Sequence, residues 1–226
     1  MFSTSLSGFS MNNGLYNASG CYCQEKSQLN ELSDCIYTGA VLSKSCTRIP
    51  RQGNPIPRYH DNAMGSLNSM GLPNHGFNYY QSLSSTIQHQ KPYFMSISGL
   101  NLDETLSMIK SINEKGISSP NLIEINLSCP NIPGKPQVGY DWEQMEEALR
   151  KISEIDSIPW GVKLPPYFDH AHWGISSDLL RNSNVKFITC INSIGNALWI
   201  DPQSETTLIY PKKGFGGLGG EYVKPT

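Results

Sequence analysis

Charge is scarce in this chain. Only 16% of its 226 residues are Asp, Glu, Lys or Arg, and the formal net charge is −2 with a pI near 6.2. Without a basic excess, nucleic acid and anionic membrane surfaces are not expected as partners. Long apolar runs are missing too, since no window reaches the roughly 20 residues that cross a bilayer. Met1–Ser10 has neither a basic n-region nor an apolar h-region, so no secretory leader is read. Cys21-x-Cys23 is not a usual metal spacing and no histidine cluster sits nearby to complete one, so no metal site is expected. The six cysteines (Cys21, Cys23, Cys35, Cys46, Cys129, Cys190) then read as free thiols in a reducing, cytoplasmic compartment. The 38% of hydrophobic residues and the chain length fit one globular domain over residues 1–226.

What is there is an alternation. Short β-rich runs cover Gly14–Asn17, Gly39–Lys44, Tyr93–Ser98, Leu122–Leu127, Trp160–Leu164 and Val185–Asn192. Helical stretches at Glu25–Cys35, Gly76–Gln88, Asp103–Glu114, Asp141–Ile155 and His170–Asn182 separate them. Asp103 and Asp141 read as helix N-caps, and Trp142, Met145, Leu149 and Ile152 form an apolar helical stripe. Repeated strand–helix–strand units predict a parallel sheet, either doubly wound or a (β/α)8 barrel. No Gly-x-Gly-x-x-Gly follows the first strand, which counts against a dinucleotide fold. Lys44, Ser98, Asn126, Lys163 and Asn192 all fall at C-terminal strand ends, where a barrel builds its active site. The sequence supplies about six strands, fewer than the eight of a full barrel.

Several segments carry chemistry. Asn126–Gln137, NLSCPNIPGKPQ, has three prolines and a glycine after a strand end, so it reads as a loop. Its Cys129 stands between Asn126 and Asn131, and a thiol there ionises more readily if Lys44 and Lys163 share the rim. A lysine ending a buried strand is costly unless it meets an anion or a polar cofactor. Gly65–Asn74 reads as a loop whose glycines let backbone N–H groups approach a ligand. Gly214–Gly220 reads as a glycine-rich loop able to cradle a phosphate or a flavin edge.

Together these stretches resemble the dihydroorotate dehydrogenase family, specifically its class 1A, fumarate-type members. The matching residues are Asn17-Ala18-Ser19-Gly20, Ser43-Lys44-Ser45, Gly53-Asn54-Pro55 with Pro57-Arg58-Tyr59, Gly65–Asn74, Asn126–Gln137, Gly161–Asp169, Asn192–Asn196 and Gly214–Thr226. The resemblance implies an FMN-dependent (β/α)8 barrel that oxidises dihydroorotate to orotate in pyrimidine synthesis, with fumarate as acceptor. It also implies a cytoplasmic homodimer. By position it makes Cys129 the base that removes the C5 proton, with Lys44, Asn131 and Lys163 as its catalytic companions. FMN contacts fall on Ala18, Ser19, Gly20, Lys44, Ser45, Asn126, Lys163, Ile191 and Gly220. Substrate contacts fall on Lys44, Asn68, Ser69, Met70, Gly71, Leu72, Asn126, Asn131, Asn192 and Ser193. The loop after Cys129 would act as a lid.

The sequence departs from the family pattern before Asn17, at Cys21, and at His170-Ala171-His172-Trp173. The family also continues past this chain's last residue with two strands whose glycine-rich loops hold the FMN phosphate. The expectation is a C-terminally incomplete barrel, either a fragment of a longer product or a truncated paralogue. Such a chain alone would bind FMN poorly. Two alternatives stay open beside the enzyme: an inactive homologue acting only as an interaction partner, and a flavoenzyme of the same barrel acting on another dihydropyrimidine.

Overall fold

The computed structural model describes residues 2–114, 116, 119–128, 137–155 and 158–224. Its centre is a five-stranded parallel sheet in the order β3 (Val41–Leu42), β6 (Tyr93–Ile97), β7 (Leu122–Asn126), β8 (Trp160–Lys163) and β9 (Ile188–Thr189). Sequential strands are neighbours and helices cross between them, the βαβ arrangement expected from the alternation. The crossovers carry α2 (Phe77–Ser82), α3 (Ser84–Ile87), α4 (Leu102–Asn113), α5 (Trp142–Ser153) and α6 (His170–Arg181), with α1 (Lys26–Asp34) ahead of β3.

The strands sort their side chains by period two. Tyr93, Met95, Ile97, Ile123, Ile125, Trp160 and Val162 face the helices and join one core cluster with Met108, Ile109, Ile112, Met145, Leu149 and Ile152. The opposite face is layered, as a barrel interior is. Leu42, Phe94 and Leu122 form its apolar end. Ser96 and Glu124 come next in register, and Asn126 and Lys163 follow at the C-terminal rim. A hairpin of β1 (Thr4–Leu6) and β2 (Phe9–Met11) packs Met11, Leu6 and Phe9 against the apolar end.

The helix starts follow local chemistry. Asp141 caps α5 by accepting from Gln144 N at 3.1 Å. Asp103 does not cap α4. Asn101 does, accepting from Glu104 N at 2.8 Å, and Asp103 sits in the first turn where the helix dipole favours an anion. The expected Gly76–Gln88 helix is two short ones.

Four expectations need correction. Gly14–Asn17 is not a strand; Asn17 instead uses its side-chain amide to imitate one, donating to Leu42 O at 2.7 Å and accepting from Leu42 N at 2.9 Å. That leaves five parallel strands among the described residues, not six. Gly39–Lys44 shrinks to two residues because Lys44 N turns away to Cys23 O at 3.1 Å, and pairing with β6 resumes only at Cys46. Val185–Asn192 shrinks to β9, although Lys186 N and Asn192 N still bond across to Trp160 O and Leu164 O.

The fourth correction concerns the glycine-rich segments. Phe215–Gly220 is a strand, β13, and Gly65–Asn68 is another, β5. They pair in an antiparallel sheet of order β10 (Ile194–Leu198), β13, β5, β4 (Tyr59–Asn62). Glycine is needed for that closeness: a Cβ on Gly216 would lie 2.5 Å from Asn68 O, and one on Gly220 would lie 2.5 Å from Gly65 Cα. A smaller hairpin joins β11 (Ile200–Asp201) to β12 (Thr206–Thr207).

Candidate active site

A cavity of about 760 Å³ opens at the C-terminal rim of the parallel sheet, between it and the antiparallel sheet. Its walls come from three places. The segment Ala18–Gln24 forms one side, the strand ends supply Lys44, Ser45, Asn126, Lys163, Asn192 and Ser193, and β5, β13 and the turn after β5 supply Asn68, Met70, Gly71, Leu72, Gly219 and Gly220.

Backbone irregularity puts the first lysine there. Lys44 and Ser45 form a bulge in the pairing between β3 and β6, since Ser43 N bonds to Phe94 O and Cys46 N to Ser96 O with two residues between. The amides of Lys44 and Ser45 are thereby released to Cys23 O and Ser19 O, fastening the Ala18–Gln24 wall. Lys44 Nζ lies 3.5 Å from Ser19 O. Lys163 ends β8 opposite Asn126 on β7 and is 9% exposed.

The asparagines are held by one another. Asn126 Oδ1 accepts from Ser128 N at 3.0 Å and from Asn192 Nδ2 at 3.2 Å, while Asn126 Nδ2 donates to Ser45 Oγ at 3.4 Å. Asn192 Nδ2 also donates to Ser128 O. Asn68 Nδ2 donates to Gly217 O at 3.1 Å, tying β5 to β13 in that wall. Beyond Asn68 the chain reverses at Gly71 and Leu72, both with positive φ. Gly71 cannot carry a side chain, because its Cβ would meet Asn54 Oδ1 at 2.3 Å.

Among the described residues, the cavity lining contains two lysines and no carboxylate. Cys23, which also lines it, is no nucleophile at neutral pH: burial pushes its thiol up to about 11. Outside the wall, His75 Nε2 and Glu25 Oε1 meet at 2.7 Å and Tyr80 OH donates to Gln24 O at 3.0 Å, joining the two sides of the mouth.

Of the residues singled out from the sequence, Ala18, Ser19, Gly20, Lys44, Ser45, Asn68, Met70, Gly71, Leu72, Asn126, Lys163, Asn192, Ser193 and Gly220 converge on this cavity. Ser69 does not line it; it is fully buried, and its carbonyl accepts from Asn54 Nδ2 at 2.9 Å. Ser98 is buried behind the rim, and Ile191 is outside the lining. Cys129 and Asn131 lie outside the described residues. Sequence reasoning missed Asn17, Ser96 and Glu124, of which Glu124 had a visible signal: a carboxylate in the middle of the apolar run Leu122–Leu127.

A family model described as dihydroorotate dehydrogenase matches residues 1–226. The chain belongs to the dihydroorotate dehydrogenase family. It is 47% identical to dihydroorotate dehydrogenase (fumarate) of Trypanosoma brucei brucei, over 97% of this chain and 71% of that protein. It is 47% identical to the Lachancea kluyveri protein of the same name, over 95% and 68%. Against dihydroorotate dehydrogenase A (fumarate) of Lactococcus lactis subsp. cremoris the identity is 45%, over 100% and 73%.

The dihydroorotate dehydrogenase family uses a flavin, and the cavity suits one. Its volume lies in the roughly 300–1,000 Å³ range of small-molecule sites. A Cβ added at Gly20 would meet nothing within 4 Å, so the backbone there is open to close approach by a planar group. Two cations facing amide and hydroxyl groups match a ligand that carries negative charge and ring hydrogen-bonding edges.

Proposed function

We propose that this cavity is where the chain oxidises (S)-dihydroorotate to orotate, the pyrimidine-forming reaction, with FMN as the flavin and fumarate as the terminal acceptor. The observation that carries this reading is the convergence of Lys44, Lys163, Asn68, Asn126 and Asn192 on one cavity that, among the described residues, has no acidic side chain. Bound FMN supplies the hydride acceptor. Lys44 pairs with the substrate carboxylate, and Asn68, Asn126 and Asn192 bond the ring amides through side chains already held in place. Lys163 presents a fixed cation where negative charge grows during reduction. Cys129 takes the C5 proton, an assignment supported by the family match and by its place directly after Ser128. The word fumarate in the relatives' names supports the acceptor. We place the protein in the cytoplasm as a homodimer; among the described residues no helix is long and apolar enough to cross a membrane.

The test is orotate formation by the purified chain with excess FMN and fumarate, offered dihydroorotate or dihydrouracil. Dihydroorotate should be oxidised and dihydrouracil should not. Lys44→Ala should lower kcat/KM on the order of 10²-fold, the loss of a charge-assisted contact in a dry site. Equal turnover of both substrates, or a Lys44→Ala variant as fast as the parent, would overturn the reading.

A further inference from the structure

The two lips of the cavity mouth come from segments far apart in the chain. One is the wall of residues 18–24, which runs directly into α1. The other is the turn of residues 70–72, which runs through Asn74 and His75 into α2. The start of α1 leaves backbone amides that no helical carbonyl can satisfy. Gln28 Oε1 accepts from Gln24 N and Glu25 N, both at 3.0 Å. The next contacts reach across the mouth. Lys26 N donates to Tyr79 OH at 2.8 Å, Tyr80 OH donates to Gln24 O at 3.0 Å, and His75 Nε2 is hydrogen-bonded to Glu25 Oε1 at 2.7 Å. Gln24, Glu25 and Lys26 are thus each gripped by a different side chain of one facing segment.

That segment is itself fixed. Asn74 is buried; its Nδ2 donates to Thr47 Oγ1 at 3.0 Å and to Leu72 O at 2.9 Å, and its Oδ1 accepts from Gly76 N at 2.8 Å. Tyr80 is fully buried. The rings follow one another, His75 against Tyr79 at 4.7 Å and Tyr79 edge-on to Tyr80 at 5.0 Å. His75, Tyr79 and Tyr80 do not line the cavity. They reach it only through Gln24 on one side and Leu72 on the other, both of which do. The wall of residues 18–24 therefore hangs from the amides of Lys44 and Ser45 at its root and from these three side chains at its outer end.

We propose that His75 and Tyr80, with Tyr79 between them, are positioning residues: they form a clasp that sets the gap between the wall of residues 18–24 and the turn of residues 70–72, so that a ligand ordering one lip stiffens the other. On the function proposed above, the wall faces FMN and the turn faces dihydroorotate. The coupling between those two ligands rests on that reading; the clasp itself does not.

The test compares wild type with Tyr80→Phe, which removes one buried hydroxyl, and His75→Ala. Opening of the wall is read without ligand, as the rate at which iodoacetamide alkylates Cys23, followed by peptide mass spectrometry. Cys23 is 1% exposed and reacts only when the wall opens. Cys46 is fully buried and bridged to Ile97 beside the central sheet, so it reacts only when the sheet itself comes apart. Tyr80→Phe should speed Cys23 alkylation about tenfold, the worth of one buried hydrogen bond. His75→Ala should speed it roughly two- to fivefold, as its pair with Glu25 is half-exposed. Cys46 should keep its wild-type rate in both. With ligand, each variant should bind FMN more weakly, read by flavin fluorescence, and should also bind orotate more weakly once loaded with FMN. Unchanged Cys23 alkylation, or Cys46 rising in step with Cys23, would overturn the clasp. Weaker FMN binding with wild-type orotate affinity would overturn the coupling. Should Tyr80→Phe fail to fold, Tyr79→Phe, which frees Lys26 N, reads the same rates. If wild type itself binds no FMN, the flavin reading fails and the two alkylation rates alone decide the clasp.

Discussion

Removing a proton from C5 of dihydroorotate requires a base within hydrogen-bond reach, and a positioned base contributes roughly 10²–10⁴-fold to such a step. Among side chains of this size a thiol serves far better than a hydroxyl, because the thiolate forms near neutral pH when cations are close. Cys129→Ser should therefore slow flavin reduction by dihydroorotate on the order of 10²-fold at neutral pH, followed by stopped-flow bleaching of the flavin. Reduction at the parent rate would take the base role away from Cys129. The proposal for Cys129 comes from the sequence, where the residue stands in a proline-rich loop between Asn126 and Asn131, and from the family match. Glu124 was less legible. Its partners are the hydroxyls of Ser96 and Thr189, whose places on β6 and β9 are set by tertiary pairing.

Strand pairing explains which elements were readable. β6, β7 and β8 were placed within a residue or two because each is buried on both faces and bounded by polar or proline residues. The strands at the ends of the sheet were over-read, since apolar pattern does not reveal where an amide leaves the ladder for a loop, as Lys44 N does. The glycine-rich strands β5 and β13 were read as loops because glycine has low strand preference; only the close backbone packing between them explains its use. Gly161 on β8 is a sharper case. A Cβ there would sit 2.4 Å from Phe187 O and 2.6 Å from its ring, so β9 approaches β8 only because residue 161 has no side chain. Gly161→Ala should cost about 1–3 kcal/mol, measured by urea denaturation, as β9 is pushed outward. It should also raise the KM for dihydroorotate, because Asn192 hangs from that edge through Leu164 O. Unchanged stability would contradict the observed pairing of Val162 with Ile188.

At the scale of the molecule, the helical layer under the cavity is where the buried ionisable thiols and phenols collect. Cys23, Cys46, Tyr80 and Tyr93 all belong to the cluster between sheet and helices. Burial raises all four: Cys23 to about 11, and Cys46, Tyr80 and Tyr93 in the same direction. In the unfolded chain a thiol titrates near about 8.5 and a phenol near about 10. A group raised on folding stabilises the folded state fully below its unfolded value, and that contribution is lost as pH climbs through the folded value. The folded chain resists losing these protons while the unfolded chain releases them, so alkali favours unfolding. Stability should hold steady up to about pH 8.5 and fall between there and about pH 11, with the thiols leading and the phenols following. The urea midpoint across that range measures it, and Cys23→Ala should make the first part of the fall shallower. A midpoint that stays level to about pH 11 would mean the thiols reach water, and with that the packing that supports the Ala18–Gln24 wall of the cavity would have to be different.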